Sequence, residues 1–343
     1  MGSCVSFSKC KKGKDADAGV PQTEVIPFSW ETRKTNLNMD DFVLKDKENE
    51  TIWKLPGSVN GQQFVIRNCT HCLVYLLDHV NSVTFDDCKE CKLATGPIVG
   101  SISVRDCVDC TLVVAASQFR MRDCTSMDVL LYCPTQPCIE SSSQIGFGCY
   151  QLFYDSIEDH FNKCQFDIWN NSWYNIYDFT PSKQSSEPNW CYLPYNFNLD
   201  LCFNIKCLPE QLTRHKLSFD PGLSQIPKTS GFSHYNTDTC FVLILQNLND
   251  AKTFLLKLLL LNKDTDCKAI CTGQLELSAK QSEYFCDGVK KATEGPVIGM
   301  LLAGRMIRKH VEKAAIDIFL SEDQYMVLPR ESGQVFFSIL STS

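Results

Sequence analysis

Three groups of residues in this chain have types and spacings that suit chemistry. Cysteines form three Cys-x-x-Cys pairs, Cys69/Cys72, Cys88/Cys91 and Cys107/Cys110, and two such pairs would supply four thiolates to a zinc ion. A triplet Gln118-Phe119-Arg120 offers a guanidinium, a planar and permanently charged fork of donors that suits phosphate oxygens. The N-terminus reads Met1-Gly2-Ser3-Cys4-Val5-Ser6, in which Gly2 and Ser6 fit the acceptor pattern for N-myristoylation and Cys4 is placed for S-palmitoylation. Lys9, Lys11, Lys12 and Lys14 follow. One acyl chain holds a membrane only marginally, and a second chain or a basic cluster makes the anchor stable. From Gly13 to about Pro27 the sequence is polar and reads as a tether, so residues 1–27 form a basic, acylated arm.

The elements that must position Arg120 are repeats. Four segments are variants of one another: Phe64-Val65-Ile66-Arg67-Asn68-Cys69, Val83-Thr84-Phe85-Asp86-Asp87-Cys88, Ile102-Ser103-Val104-Arg105-Asp106-Cys107 and Phe119-Arg120-Met121-Arg122-Asp123-Cys124. Their starts recur after 19, 19 and 17 residues, and a fixed period near 20 marks a stacked solenoid. Within each unit apolar and polar residues alternate as in a half-buried strand, and an Asn or Asp then permits a bend. The result is a parallel β-helix with an inward column of Phe64, Val83, Ile102 and Phe119, followed by Ile66, Phe85, Val104 and Met121. Val65, Thr84, Ser103 and Arg120 point outward, so Arg120 projects from the wall. By itself such an arginine is either a solvated surface charge or a site.

The cysteine pairs keep the coil period, and the fourth coil has Cys124 with Met127 where a second thiol would stand. Methionine in that column indicates apolar stacking rather than zinc ligation, since a buried free cysteine packs as a small hydrophobe. The 20 cysteines of the 343 residues therefore read as reduced thiols on the cytosolic side. A net charge of −7 and the lack of a basic, aromatic-interleaved patch argue against nucleic-acid binding. No apolar run approaches the roughly 20 residues of a membrane span, and no secretory signal is present.

After Cys149 the repeat fades. Residues 150–190, with Trp169, Trp173 and Trp190, read as final coils and a cap over the open solenoid end. Exposed aromatics would alternatively form an interface. Residues 194–236 are irregular and read as a linker with one short helix. The segment 237–343 changes period: a strand at Cys240–Leu245, a helix capped by Asn249 or Asp250 and running to Leu261, a strand beginning at Ala269, a helix from Ser278 to about Lys291, a strand over Gly295–Leu302 and a helix from Met306 to Phe319. This alternation indicates an α+β or α/β sandwich.

Taken together, Leu55-Pro56-Gly57, Gly61-Gln62-Gln63-Phe64, the cysteine-bearing coils, Gln118 to Cys124, Thr135-Gln136-Pro137, Ile139-Glu140-Ser141-Ser142-Ser143 and Trp173 to Pro181 resemble the tubulin-folding cofactor C domain family. The acylated start and added C-terminal domain are similar to its retinitis pigmentosa branch. The resemblance implies a mainly β chain with an α/β tail: a right-handed parallel β-helix over 28–193, the linker 194–236, and a ferredoxin-like domain of the nucleoside diphosphate kinase type over 237–343. It implies GTPase activation of an Arf-like small G protein, with Arg120 as an arginine finger supplied in trans and Gln118 supporting it. Gly100, Ser101, Ser117, Gln118, Phe119 and Arg120 would then lie near the nucleotide, and Glu140 and Phe179 at the partner. GTP and Mg²⁺ belong to the partner, and the chain carries no cofactor or metal of its own.

The implied setting is the cytoplasmic face of the plasma membrane, the ciliary base or the cilium, with a role in trafficking lipidated cargo. The alternatives are a non-catalytic effector or scaffold of the GTP-bound partner, and a tubulin-folding factor. Two positions depart from the branch. Ser117 occupies the first place of its Gln-Gln-Phe-Arg, and the acylatable thiol is Cys4 rather than the residue after Gly2. Kinase chemistry is not expected, because the Asn-x-x-His-Gly pattern is missing and the sole histidine of 237–343 is His310, on an amphipathic helix.

Overall fold

In six successive coils the chain leaves one wall of strands through a left-handed residue. Asp46, Asn68, Asp87, Asp106, Asp123 and Ser141 have φ between 47° and 57°, a region that short polar side chains tolerate better than most. The chain, seen here in a computed structural model, is described over residues 38–181, 187–232, 237–246, 248–261, 266–286, 295–319 and 321–341. Gly2, Cys4 and the basic tether lie outside the described residues.

Two parallel walls rise from these corners. In the first, Val43–Lys45, Phe64–Arg67, Val83–Asp86, the second halves of Lys92–Arg105 and Thr111–Arg122, then Cys138–Glu140 and Tyr177–Asp178 stack one above another. The second wall runs from Thr51–Lys54 through Leu73–Leu76, the first halves of the same two long strands, Thr125–Tyr132, Ser143–Cys149 and Trp190–Tyr192. The β-helix expected from the repeat is therefore present. It begins one coil before the first recognisable repeat, at a strand too short to show alternation.

The inward residues match the expected columns. Phe64, Ile66, Phe85, Ile102, Val104, Phe119 and Met121 are all buried. Cys69, Cys88, Cys107 and Cys124 form one buried column, and Cys72, Cys91, Cys110 and Met127 the other. Each of these thiols lies against the carbonyl two residues earlier, as Cys107 Sγ does at 3.0 Å from the Arg105 oxygen and Cys88 Sγ at 3.2 Å from that of Asp86. Their donors are spent on backbone inside the core.

In the segment expected to cap the solenoid, helix Ile157–Lys163 packs against strand Lys92–Arg105, and the interface alternative does not hold for the central tryptophans: Trp169 and Trp173 are buried. The described part of the expected linker, residues 194–232, packs against the solenoid. It forms helices at Leu199–Cys202 and Glu210–Arg214 with a 3-10 turn between them at Ile205–Cys207, and Phe203, Leu212, Leu217, Phe219 and Ile226 are buried in the solenoid's own hydrophobic cluster. Five widely spaced apolar side chains make it a strap, whose proline-broken sequence conceals any helical or strand period.

The C-terminal region has a four-stranded antiparallel sheet in the order Lys268–Leu277, Gly295–Ala303, Thr239–Ile244, Tyr325–Leu328. With helices Asp250–Leu261 and Ile307–Ile316 as crossovers, this is the split βαβ, ferredoxin-like arrangement. The expected strands and helices among the described residues start within a few residues of their positions, and the expected end of the helix at about Lys291 lies outside the described residues. The last strand and the helix Arg330–Leu340 were not anticipated, since a four-residue strand that is half-buried throughout has no alternation to detect. From Met39 onward the chain forms one compact unit. Trp169 packs in one cluster of the C-terminal region, and Asn170 pairs with the Gln274 backbone in both directions, at 2.9 and 2.7 Å. Residues up to Ile226 thus share the solenoid's core, and the C-terminal sheet, whose first strand is Thr239–Ile244, is joined to it through these contacts.

Candidate functional site

The outer face of the first wall carries the residues that the sequence singled out. Because side chains two apart on a strand share a face, Gln118, Arg120 and Arg122 all point outward from Thr111–Arg122, and all three are exposed. Register then assigns their neighbours. Ser103, Arg120, Cys138 and Tyr177 lie in one row across four coils, and Asp86, Arg105, Arg122 and Glu140 form the adjacent row. The N–H of Phe179 donates to the Ile139 carbonyl at 2.9 Å, which places Phe179 beside Glu140. An open groove of about 480 Å³ is bounded by Ser103, Arg105, Arg120, Arg122, Glu140 and Phe179.

The three arginines differ in how they are used. Arg105 donates to Asp86 Oδ2 at 2.8 Å, and Arg122 Nε stands 2.9 Å from Asp123 Oδ2. Among the described residues Arg120 has no ion pair or hydrogen-bond acceptor, and the side chains of Gln118 and Glu140 likewise have no protein partner. A guanidinium, an amide and a carboxylate are therefore presented together on a rigid parallel sheet, with donors and acceptor available to a second molecule. Phe179 is 59% exposed and Tyr177 47%, their rings 4.6 Å apart and edge-on. An exposed aromatic pair beside free charged groups is the composition of a protein interface rather than of a small-molecule pocket.

The remaining expected residues are distributed less simply. Phe119 is 1% exposed and packs edge-on to Phe147 at 6.0 Å, so its side chain belongs to the core. Alternation requires the residue between Gln118 and Arg120 to point inward, so any contact of Phe119 on this face is made by its backbone. Ser117 donates its hydroxyl to the Val99 carbonyl at 2.6 Å, and its own carbonyl accepts from Thr135 Oγ1 at 2.7 Å, which ties it to neighbouring coils. Gly100 bonds the Asn81 carbonyl through its N–H at 2.9 Å, and a Cβ at Gly100 would stand 2.9 Å from the same oxygen. Close coil stacking thus requires glycine there. Ser101 pairs in register with Gln118. Gly100, Ser101, Ser117 and Gln118 stand outside the groove, up-strand of Arg120.

Reading the sequence did not single out Arg105, Cys138 or Tyr177. The same coil period that identified Arg120 would have placed Arg105 on this face. Cys138 follows Arg120 by 18 residues, within the coil spacing, so the period would have placed it too, whereas Tyr177 lies 39 residues further on and only the strand register brings it alongside.

The tubulin binding cofactor C family matches residues 61–179. Protein XRP2 of Danio rerio is 42% identical over 207 residues, which is 60% of this chain and 54% of the relative. Protein XRP2 of Mus musculus is 37% identical over 245 residues, 71% of this chain and 68% of the relative. Tubulin-folding cofactor C of Arabidopsis thaliana is 34% identical over 152 residues, 44% of each chain. The match thus spans about half of the Danio rerio relative and two thirds of the mouse one.

Proposed function

The chain belongs to the XRP2 family, and from that premise we propose that it is a GTPase-activating protein for an Arf-like small G protein, acting through Arg120 in trans. One observation carries this reading: Arg120 is an exposed, unpaired guanidinium on a preorganised wall, while its two neighbouring arginines are already engaged. In phosphoryl transfer the protein's contribution is positioning and charge stabilisation, and an arginine finger is worth about 10³ to 10⁵ in rate. A finger must leave its own protein without breaking bonds there, and Arg120 meets that condition.

Gln118, on the same strand and face, would orient the guanidinium or bond the partner's backbone. Glu140 and Phe179 form the docking rim, and GTP and Mg²⁺ arrive with the partner. Acylation at Gly2 and Cys4 would hold the chain at the cytoplasmic face of the plasma membrane, the ciliary base or the cilium, where release of lipidated cargo is controlled.

The test is single-turnover GTP hydrolysis by a panel of Arf-like G proteins, with wild type and Arg120→Ala. Acceleration by orders of magnitude, lost in Arg120→Ala with binding retained, is the expected result. Binding of the GTP form without acceleration would make the chain an effector, a reading favoured by the Ser117 hydroxyl being committed to Val99. A dependence on tubulin would instead point to a folding factor. For the anchor, Gly2→Ala is expected to move the protein off membranes in a fractionation assay.

A further inference from the structure

Away from the first wall, three side chains able to ligate a metal converge where the solenoid meets the helix Ile157–Lys163. Asp78 follows the strand Leu73–Leu76 and is completely buried. Its Oδ2 accepts the N–H groups of Val59 at 2.8 Å and Asn60 at 2.7 Å. Its Oδ1 accepts the His79 N–H at 2.9 Å, and two imidazole nitrogens face that same oxygen, His79 Nδ1 at 3.1 Å and His160 Nε2 at 3.4 Å. His160 comes from the helix Ile157–Lys163 and is 3% exposed. The ligand atoms of Asp78, His79 and His160 all lie within 4.8 Å of one another.

The separations suit a metal. Bond lengths of about 2.0–2.1 Å in a tetrahedral zinc site put neighbouring ligand atoms roughly 3.4 Å apart, close to the two distances that radiate from Asp78 Oδ1. The outer groups fit as well. Metal-bound histidines orient themselves by donating the other ring N–H to an oxygen, and His160 Nδ1 lies 2.8 Å from Tyr154 Oη. With Nδ1 as the donor in that bond, the Nε2 lone pair is the one that faces the cluster. Tyr154 reaches it only because residue 96 is glycine: a Cβ there would overlap Tyr154 Oη and come 2.5 Å from the Asp78 carbonyl oxygen. His79, 14% exposed, is the side from which an ion and one water ligand gain access.

We propose that Asp78, His79 and His160 form a site for one divalent ion of the zinc class, which fastens the segments at 59–60, 78–79 and 160 to one another. The site uses none of the cysteines that the sequence made conspicuous. Its ligands are two nitrogens and one oxygen, with water completing the coordination.

The test is Co²⁺ titration of the metal-free full-length chain, read by absorption spectroscopy because the many thiols would bind in a spectrally different way. Wild type should take up one equivalent with the ligand-field bands of a nitrogen and oxygen site and without sulfur-to-metal charge transfer. Zn²⁺ should displace it and raise the melting temperature. His160→Gln keeps a hydrogen-bonding side chain opposite Asp78 and should weaken binding at least tenfold, as should His79→Gln at the half-buried side. Cys191→Ser with Cys207→Ser, at two exposed thiols, should change nothing. If His160→Gln fails to fold, His79→Gln decides alone. No uptake, uptake with thiolate bands, or uptake that survives both histidine variants would overturn the proposal, leaving the cluster as a hydrogen-bonded clasp.

Discussion

The strand Thr111–Arg122 contributes to both walls of the solenoid, and its two halves show how differently they are used. From Thr111 to Ala116 every residue is buried, whereas from Ser117 to Arg122 burial alternates with exposure. The second wall is covered on its outer side: the strap lays Phe203 and Phe219 against it, Tyr75 donates its hydroxyl to the Phe203 carbonyl at 3.1 Å, and Lys92 reaches the Cys202 carbonyl. The first wall has its outer face open over Arg120, Arg122 and Glu140. One strand thus supplies core packing at one end and an open, charged surface at the other.

The contrast predicts opposite consequences for substitutions on the two walls. The largest effect should come from Arg120→Ala, with a loss of about 10³ to 10⁵ in stimulated hydrolysis and a stability change within about 0.5 kcal/mol, as for an exposed side chain with no partner. Single-turnover hydrolysis and denaturant unfolding read the two quantities separately. Arg120→Lys should recover little, because an ammonium does not reproduce a planar fork.

Next in size is the covered wall. Phe203→Ala empties a fully buried site and should cost about 3–5 kcal/mol in urea unfolding. Hydrolysis per folded molecule should be unaffected, and if it fell as Arg120→Ala does, the separation of the two walls would be wrong. Phe179→Ala, on the open wall, should do the reverse. It should weaken binding of the GTP-loaded partner by about 2 kcal/mol, measured by calorimetry, while leaving the melting temperature in place.

The smallest effect is expected at Asp86→Asn. Its ion pair with Arg105 has the arginine side chain 45% exposed and the aspartate 14%, and since Asn keeps the shape and a hydrogen-bonding oxygen, the change should cost about 1 kcal/mol. The informative readout is binding rather than stability. Freeing a second guanidinium on the same face tests whether Arg120 is distinguished by being unpaired or by its place in the row.

Much of this was legible in the residues. The 19-residue spacing defines coils, period-two alternation separates core from surface, and Asn68, Asp87, Asp106 and Asp123 mark corners that all adopt positive φ. Met127, in place of a fourth second-column cysteine, is buried in that column with Cys72, Cys91 and Cys110. The same alternation argues against the Phe119 side chain as a surface contact, since it lies between two outward residues. Residues 194–232 resisted reading because their burial depends on single apolar side chains at irregular intervals.

What the sequence determined by itself is which side of each strand faces inward, because backbone geometry converts a period of two into two faces. It could not determine which outer face stays open, because that depends on where the strap returns, and burial by a distant segment leaves no local period. The grouping of Arg120 with Tyr177, and of Asp78 with His160, likewise arises from register and from packing across many residues. Only the tertiary structure sets those distances, so only it separates a free guanidinium from a paired one and an isolated histidine from a ligand.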